Sequence, residues 1–208
     1  MARIPYAIRD VHPLFRKAEM KPRPAICLLA LCASVNACGS TNERWGEEVQ
    51  LSDGRVIVLE RETLNEPGGD EWANNRAGIK PREYRVRFTE PEPEAGGSTI
   101  EWKSIKKSPR TWPETPLVLD TEAGHPVLYS VVHTSLACEV YSKYRYEGGG
   151  WKEQTLPDRF EPLATNLLIA IGSEMAKFVT LQEKRVSNAE AGYRETLLRV
   201  GPNRTTCG

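Results

Sequence analysis

Between Glu48 and Leu156, apolar and polar residues alternate in short runs, the period of two that marks half-buried β-strands. Two such runs, near Glu48 to Leu51 and Arg55 to Glu62, flank Asp53-Gly54, a dipeptide that favours a tight hairpin turn. The stretch that follows, LNEPGGDEWANNRAGIKP, is rich in Gly, Asn and Pro and reads as a long loop. In REYRVRF the side chains of Tyr84, Val86 and Phe88 fall on one face, with Arg85 and Arg87 on the other. In STIEWKSIK, Ile100 and Trp102 are the inward pair. Beyond the proline-broken loop KKSPRTWPETP, the segments LVLD, HPVLYSVVH and CEVYSKYRY continue the pattern, and the glycines at 148 to 150 turn the chain into WKEQTL. Seven or eight strands joined by turns predict an antiparallel meander rather than a parallel sheet.

Past Leu156 the period changes. Ala189, Tyr193, Leu197 and Val200 lie near one another on a single helical face, and Gly201-Pro202 would stop that helix. ATNLLIAIG fits a final strand or a buried helical turn, and its periodicity does not choose. The fold class expected is therefore α+β, mainly an antiparallel β meander with a helical carboxyl-terminal part.

A different apolar pattern precedes this domain. Ala25 to Val35, AICLLALCASV, is an uncharged run of eleven residues, shorter than the roughly 20 that span a bilayer. Lys21 and Arg23 stand before it and small residues end it, which are the three parts of a secretory signal. The peptidase that cuts before a lipidated cysteine needs a small preceding residue; Ile26 before Cys27 and Leu31 before Cys32 fail, and Ala37 before Cys38 passes. Val35-Asn36-Ala37-Cys38 thus resembles the lipobox of bacterial lipoproteins. The resemblance implies cleavage before Cys38, diacylglycerol on its sulfur, and acylation of the new amino terminus, commonly by palmitate. Two or three chains at about 0.8 kcal/mol per buried methylene anchor stably where one is marginal. Gly39, in place of the Asp that commonly retains such proteins at the inner membrane, implies the periplasmic face of the outer membrane. The competing reading, a buried helix with core cysteines, sits poorly with Pro22 and Pro24 before the run and the polar string from Gly39 to Glu43 after it.

Residues 1–19 carry Asp10, Glu19 and two prolines, unlike an ordinary signal start, so translation is expected to begin at Met20. The organisation expected is an extension at 1–19, a signal at 20–37, a lipidated cysteine and tether at 38–46, and one β-rich domain at 47–208.

Charge and cysteine usage follow from that division. The whole chain has 28 basic and 28 acidic residues; without residues 1–38, which hold six Lys or Arg and two Asp or Glu, the remainder is net about minus four. A mildly acidic domain carries no electrostatic footprint for DNA or RNA. Of five cysteines, two leave with the signal, Cys38 takes lipid, and Cys138 and Cys207 remain. In an oxidising compartment a disulfide is the simplest fate of that pair, and closing a loop of about 70 residues stabilises by roughly 4 kcal/mol in the chain-entropy model. The alternative is reactive or metal-binding thiols, although neither cysteine belongs to a CxxC or Cys/His cluster.

The chemistry on offer is sparse. GxSxG, HExxH, Walker and dinucleotide glycine motifs are absent, and no cofactor is implied. His125 and His133 bound one strand and share a face, where with Asp120 or Glu139 they can be read as metal ligands or triad members, or as strand-end histidines near solvent. KSIKKSPRTW sets Lys103, Lys106, Lys107 and Arg110 among Trp102 and Trp112. It suits lipid phosphates or acidic cell-wall polymers, or is a solvated loop anchored by tryptophan. In GGDEWANNR, the groups Asp70, Glu71, Trp72, Asn74, Asn75 and Arg76 can hydrogen-bond sugars or peptides, or Trp72 can plug the core.

Through WGEEVQLSDGR, the GGDEWA loop and GPNRTTCG, residues 45–208 resemble a small family of uncharacterised bacterial lipoproteins, which implies no functional residues. The expected function is a membrane-anchored envelope lipoprotein with a non-catalytic binding or structural role, its partner an envelope protein or cell-wall component. A small inhibitor or exclusion factor and a hydrolase without a recognisable motif are the alternatives.

Overall fold

The structure, a computed structural model, describes residues 42–67, 79–89, 97–108, 112–135, 138–169, 177–190 and 197–203. β1 (Glu43–Gln50), β2 (Val56–Pro67), β3 (Ile79–Thr89) and β4 (Thr99–Lys103) form one antiparallel meander. A second comprises β5 (Thr115–Glu122), β6 (His125–Ser135), β7 (Cys138–Glu147) and β8 (Gly150–Gln154). The alternation read from the sequence gives the strand centres, but β1 starts at Glu43, taking residues assigned above to the tether, and β2 and β3 take Leu64 to Pro67 and Ile79 to Pro81 from the expected long loop, where they pair with one another. At the β1–β2 turn Leu51 and Arg55 close a three-residue loop, with Gly54 at φ 88° where an L side chain is strained.

The two sheets share one core. Val49, Leu59, Val86, Phe88, Ile100 and Trp102 of the first pack with Leu119, Leu128 and Tyr144 of the second. Trp151 closes one side: its Nε1 donates to the Glu101 carbonyl of edge strand β4 at 2.9 Å, and its ring meets Phe88 and Tyr146 edge-on. An edge carbonyl is thereby removed from the repertoire of unwanted strand pairing.

The second sheet is apolar on both faces. Leu128 faces the shared core, whereas Val127, Tyr129 and Val131 face a second cluster with Ile169, Leu197 and Val200. The carboxyl-terminal residues are its cover. The short pair β9 (Leu163–Ala164) and β11 (Arg199–Val200) lies against it, whereas the strand β10 (Phe178–Val179) joins β1 in parallel and α1 (Leu181–Glu190) packs beside β1.

This part corrects the helical expectation. Among the described residues the helix is one ten-residue element, and Val200 lies in a strand rather than on its apolar face; Tyr193 lies outside the described residues. The buried positions of α1 are Lys184 and Asn188, a polar i, i+4 face that hydrophobic periodicity does not detect. Its start was legible as a capping box: Glu183 N donates to Thr180 Oγ1 at 3.3 Å and Thr180 N to Glu183 Oε2 at 2.8 Å. The β10–β1 pairing is a second departure, from the all-antiparallel expectation.

Three asparagine amides fasten the cover. Asn166 accepts from Leu119 N at 3.0 Å and donates to Leu119 O at 2.8 Å and Gln50 O at 3.0 Å, so it touches both sheets. Asn188 accepts from Ile169 N and donates to Leu167 O. Asn203 accepts from Tyr141 N at 2.6 Å and donates to Tyr141 O at 3.0 Å, where β8 has ended and β7 has an open edge. Asn166 and Asn203 satisfy a strand's backbone as a further strand would, and Asn188 does so for the irregular segment at 167–169. Asn166 is half-buried and Asn203 exposed, so water can replace only the second. In urea unfolding, Asn166→Ala is expected to lose about 1–3 kcal/mol and Asn203→Ala under about 1 kcal/mol; the reverse order would contradict the clamp assignment.

Candidate functional site

The connection from β4 to β5 is built around a carboxylate. Glu114 is fully buried and accepts from Ile105 N at 2.8 Å, Lys106 N at 3.0 Å, Ser130 Oγ at 2.7 Å and the Tyr144 hydroxyl at 2.9 Å. Burial and the Glu114 charge push the Tyr144 hydroxyl pKa well above its ordinary value, so it remains a donor. Ser108 N donates to Trp112 O and Glu114 N to Lys106 O, which makes residues 105–108 and 112–114 a narrow two-sided arm.

That arm divides the basic loop expected from the sequence. Lys106 turns inward, donating to Ser142 Oγ at 2.9 Å and pairing with Glu153, while Lys103 pairs with Glu101 at 2.8 Å. Lys107 and Trp112 stay at the surface, and Arg110 lies outside the described residues. The cation and aromatic residues are therefore not one continuous stripe. Asp70, Glu71, Trp72 and Asn74 also lie outside the described residues, as do Cys38 and Cys207; Cys138 opens β7.

His125 and His133 do not converge. Eight residues of extended strand separate them by roughly 26 Å, too far to share an ion, and His133 Nδ1 sits 3.8 Å from Glu139. No group of three or more His, Cys, Asp or Glu among the described residues is placed to hold a metal.

Sequence reading missed a buried charge cluster beneath β1. Trp45, Glu47 and Val49 alternate inward, so the period of two that buries the apolar pair also buries the carboxylate. Glu47 Oε1 lies 3.1 Å from Arg61 Nη1; Oε2 accepts from Leu168 N at 3.0 Å and lies 3.7 Å from Lys184 Nζ. Lys184 also donates to the Glu48 carbonyl, and Leu181 N to the Glu48 side chain at 3.0 Å. Burial lowers the Lys184 pKa against the opposing pull of Glu47. Arg61 stacks on Trp45, 5.4 Å from the ring centroid, while Arg61 Nε and Trp45 Nε1 find no acceptor among the described residues.

The outer face of the first sheet carries a charged lattice. Arg87 binds Glu60 and Glu62, each at 2.7 Å, and Glu101; Arg44 and Arg85 reach Glu62 at 3.4 and 3.5 Å. Beside it an open groove of about 590 Å³ is bordered by Arg44, Gly46, Val58, Glu60, Arg87 and Lys177. Gly46 makes room for Phe178, since a Cβ there would lie 2.8 Å from the ring. Val58 and Phe178 are exposed on this side.

Compared with family models, curated protein sequences and solved structures, the chain matches none. No helix among the described residues is long and apolar enough to cross a membrane.

The lattice has a pH signature. Burial raises the Glu62 carboxyl, but the Arg87 hydrogen bond, with Arg44 and Arg85, holds it below its ordinary 4.5. For Glu101, Lys103 and Arg87 likewise outweigh burial. As pH falls the unfolded chain takes up these protons first, so this contribution is complete above the ordinary value and is lost as pH falls through the lowered ones. Urea midpoints measured from about pH 7 to about pH 3 are expected to drop in that window. Glu62→Gln is expected to lower the neutral midpoint and flatten the drop, and an unchanged slope would contradict the lattice.

Proposed function

We propose that this chain is a lipid-anchored protein of the bacterial envelope, attached through Cys38, whose β-rich domain has a non-catalytic binding or structural role. The observation that carries the reading is the charged start, eleven-residue apolar run and Val35-Asn36-Ala37-Cys38 ending, with Gly39 next and therefore the outer membrane as destination. The start of β1 at Glu43 supports it, because the folded domain then follows the attachment point directly. A partner protein or cell-wall polymer is the ligand class proposed, and the groove beside the Arg87 lattice is the surface offered to it.

In the same reading Cys138 pairs with Cys207. Asn203 docks on Tyr141, three residues from Cys138 and thus about 10 Å along the strand. Four residues lead from Asn203 to Cys207, a reach of up to about 14 Å.

Intact mass spectrometry of protein taken from bacterial membranes, alkylated without reduction, is expected to give a chain beginning at Cys38 with two or three acyl groups and no alkylated thiol. Retention of residues 20–37 would contradict the anchor, and an alkylated Cys138 the disulfide. Crosslinked envelopes are expected to return a defined partner; turnover on a substrate panel would contradict the non-catalytic role.

A further inference from the structure

The start of β1 and the arm between β4 and β5 occupy one row of the first sheet. Glu43 pairs with Thr63 and Thr63 with Tyr84, while Ser104 N donates to Tyr84 O and Tyr84 N to Ser104 Oγ at 3.0 Å. Three inter-strand steps place Ser104 about 14 Å across from Glu43. Four residues lie between Cys38 and Glu43, so five steps of chain give a reach of at most about 17 Å. A lipid on Cys38 would thus hold this row, with β2 and β3 running on past it, beside the bilayer surface.

What the arm presents there is unusual for a solvated loop. Ile105 is 72% exposed and Trp112 39% exposed, with Lys107 exposed as well. The exposure is built in. Glu114 grips the amides of Ile105 and Lys106 from inside the core, Lys106 is drawn inward to Ser142 and Glu153, and alternation then turns its neighbours Ile105 and Lys107 outward. Trp112 is held by its own paired backbone, Trp112 N donating to Ser108 Oγ at 3.0 Å. A tryptophan and an aliphatic side chain flanked by lysine suit the interfacial layer of a membrane, where the indole and alkyl groups leave water and the ammonium meets lipid phosphate.

We propose that the arm carrying Ile105, Lys107 and Trp112 docks on the bilayer that holds the lipid anchor, and so fixes the domain's orientation at the membrane. The proposal rests on the anchored reading of Cys38. It is tested on the processed full chain in phosphatidylethanolamine and phosphatidylglycerol vesicles that contain dibrominated phosphatidylcholine, which quenches tryptophans at the bilayer. Trp112→Phe is expected to remove the larger part of the quenching, and Ile105→Asp to reduce it, with far-ultraviolet circular dichroism unchanged because both positions lie outside the strands of the two sheets. Equal quenching in wild type and Trp112→Phe, in protein whose mass shows acylated Cys38, would overturn the docking arm and leave the anchor standing. A chain without acyl groups on Cys38 would overturn the anchor, and the arm with it.

Discussion

One carboxylate, that of Glu47, ties the first strand to three separate parts of the chain. It lies on the inward face of β1, wholly removed from solvent, and through it β1 meets Arg61 of β2, the backbone at Leu168 and Lys184 of α1. Taking a charge out of water is expensive, and it is tolerated only where good geometry and further hydrogen bonds offset the loss. Two cations and one amide provide that here. Because each comes from a different part of the chain, the helix and the segment leading to it have one arrangement in which Glu47 is satisfied.

The rest of the carboxyl-terminal cover follows the same logic of polar pins in an apolar setting. A second sheet with apolar side chains on both faces must be covered twice, once by the first sheet and once by residues from Leu156 onward. Among the described residues of that part, regular structure amounts to the two-residue strands β9, β10 and β11 and the helix α1. Asn166, Asn188 and Asn203 supplement it by binding strand and segment backbones in the manner of a short strand. The cover is thus specified by side-chain amides more than by secondary-structure propensity.

This explains what was readable in the sequence. Alternation in REYRVRF and STIEWKSIK placed Val86, Phe88, Ile100 and Trp102 in the core correctly, because one-sided burial of an antiparallel sheet writes itself directly into the period of two. The near-continuous apolar run HPVLYSVV carried the further signal of burial on both faces. The helix was misplaced because its buried positions are Lys184 and Asn188, although TLQE at 180–183 held a capping signature. The basic loop was half legible: its composition announced Lys106 and Lys107 alike, and only the reach of Lys106 to Ser142 and Glu153 separates them. Glu47 and Glu114 were invisible as core residues, since an acidic side chain reads as surface until its partners are known.

The proposed membrane role depends on this architecture, because an arm can be aimed only from a rigid body. Glu114 sets the arm, and Glu47 ties the sheet that bears it to α1 and the residues around Leu168. The most direct test of that dependence is a double-mutant cycle between Glu47→Gln and Lys184→Met, measured by urea unfolding. With a contact of 3.7 Å between them, the account predicts a loss of about 3 kcal/mol or more for Glu47→Gln and a coupling energy above about 1 kcal/mol. Additivity within about 0.5 kcal/mol would contradict it, leaving helix and sheet energetically independent.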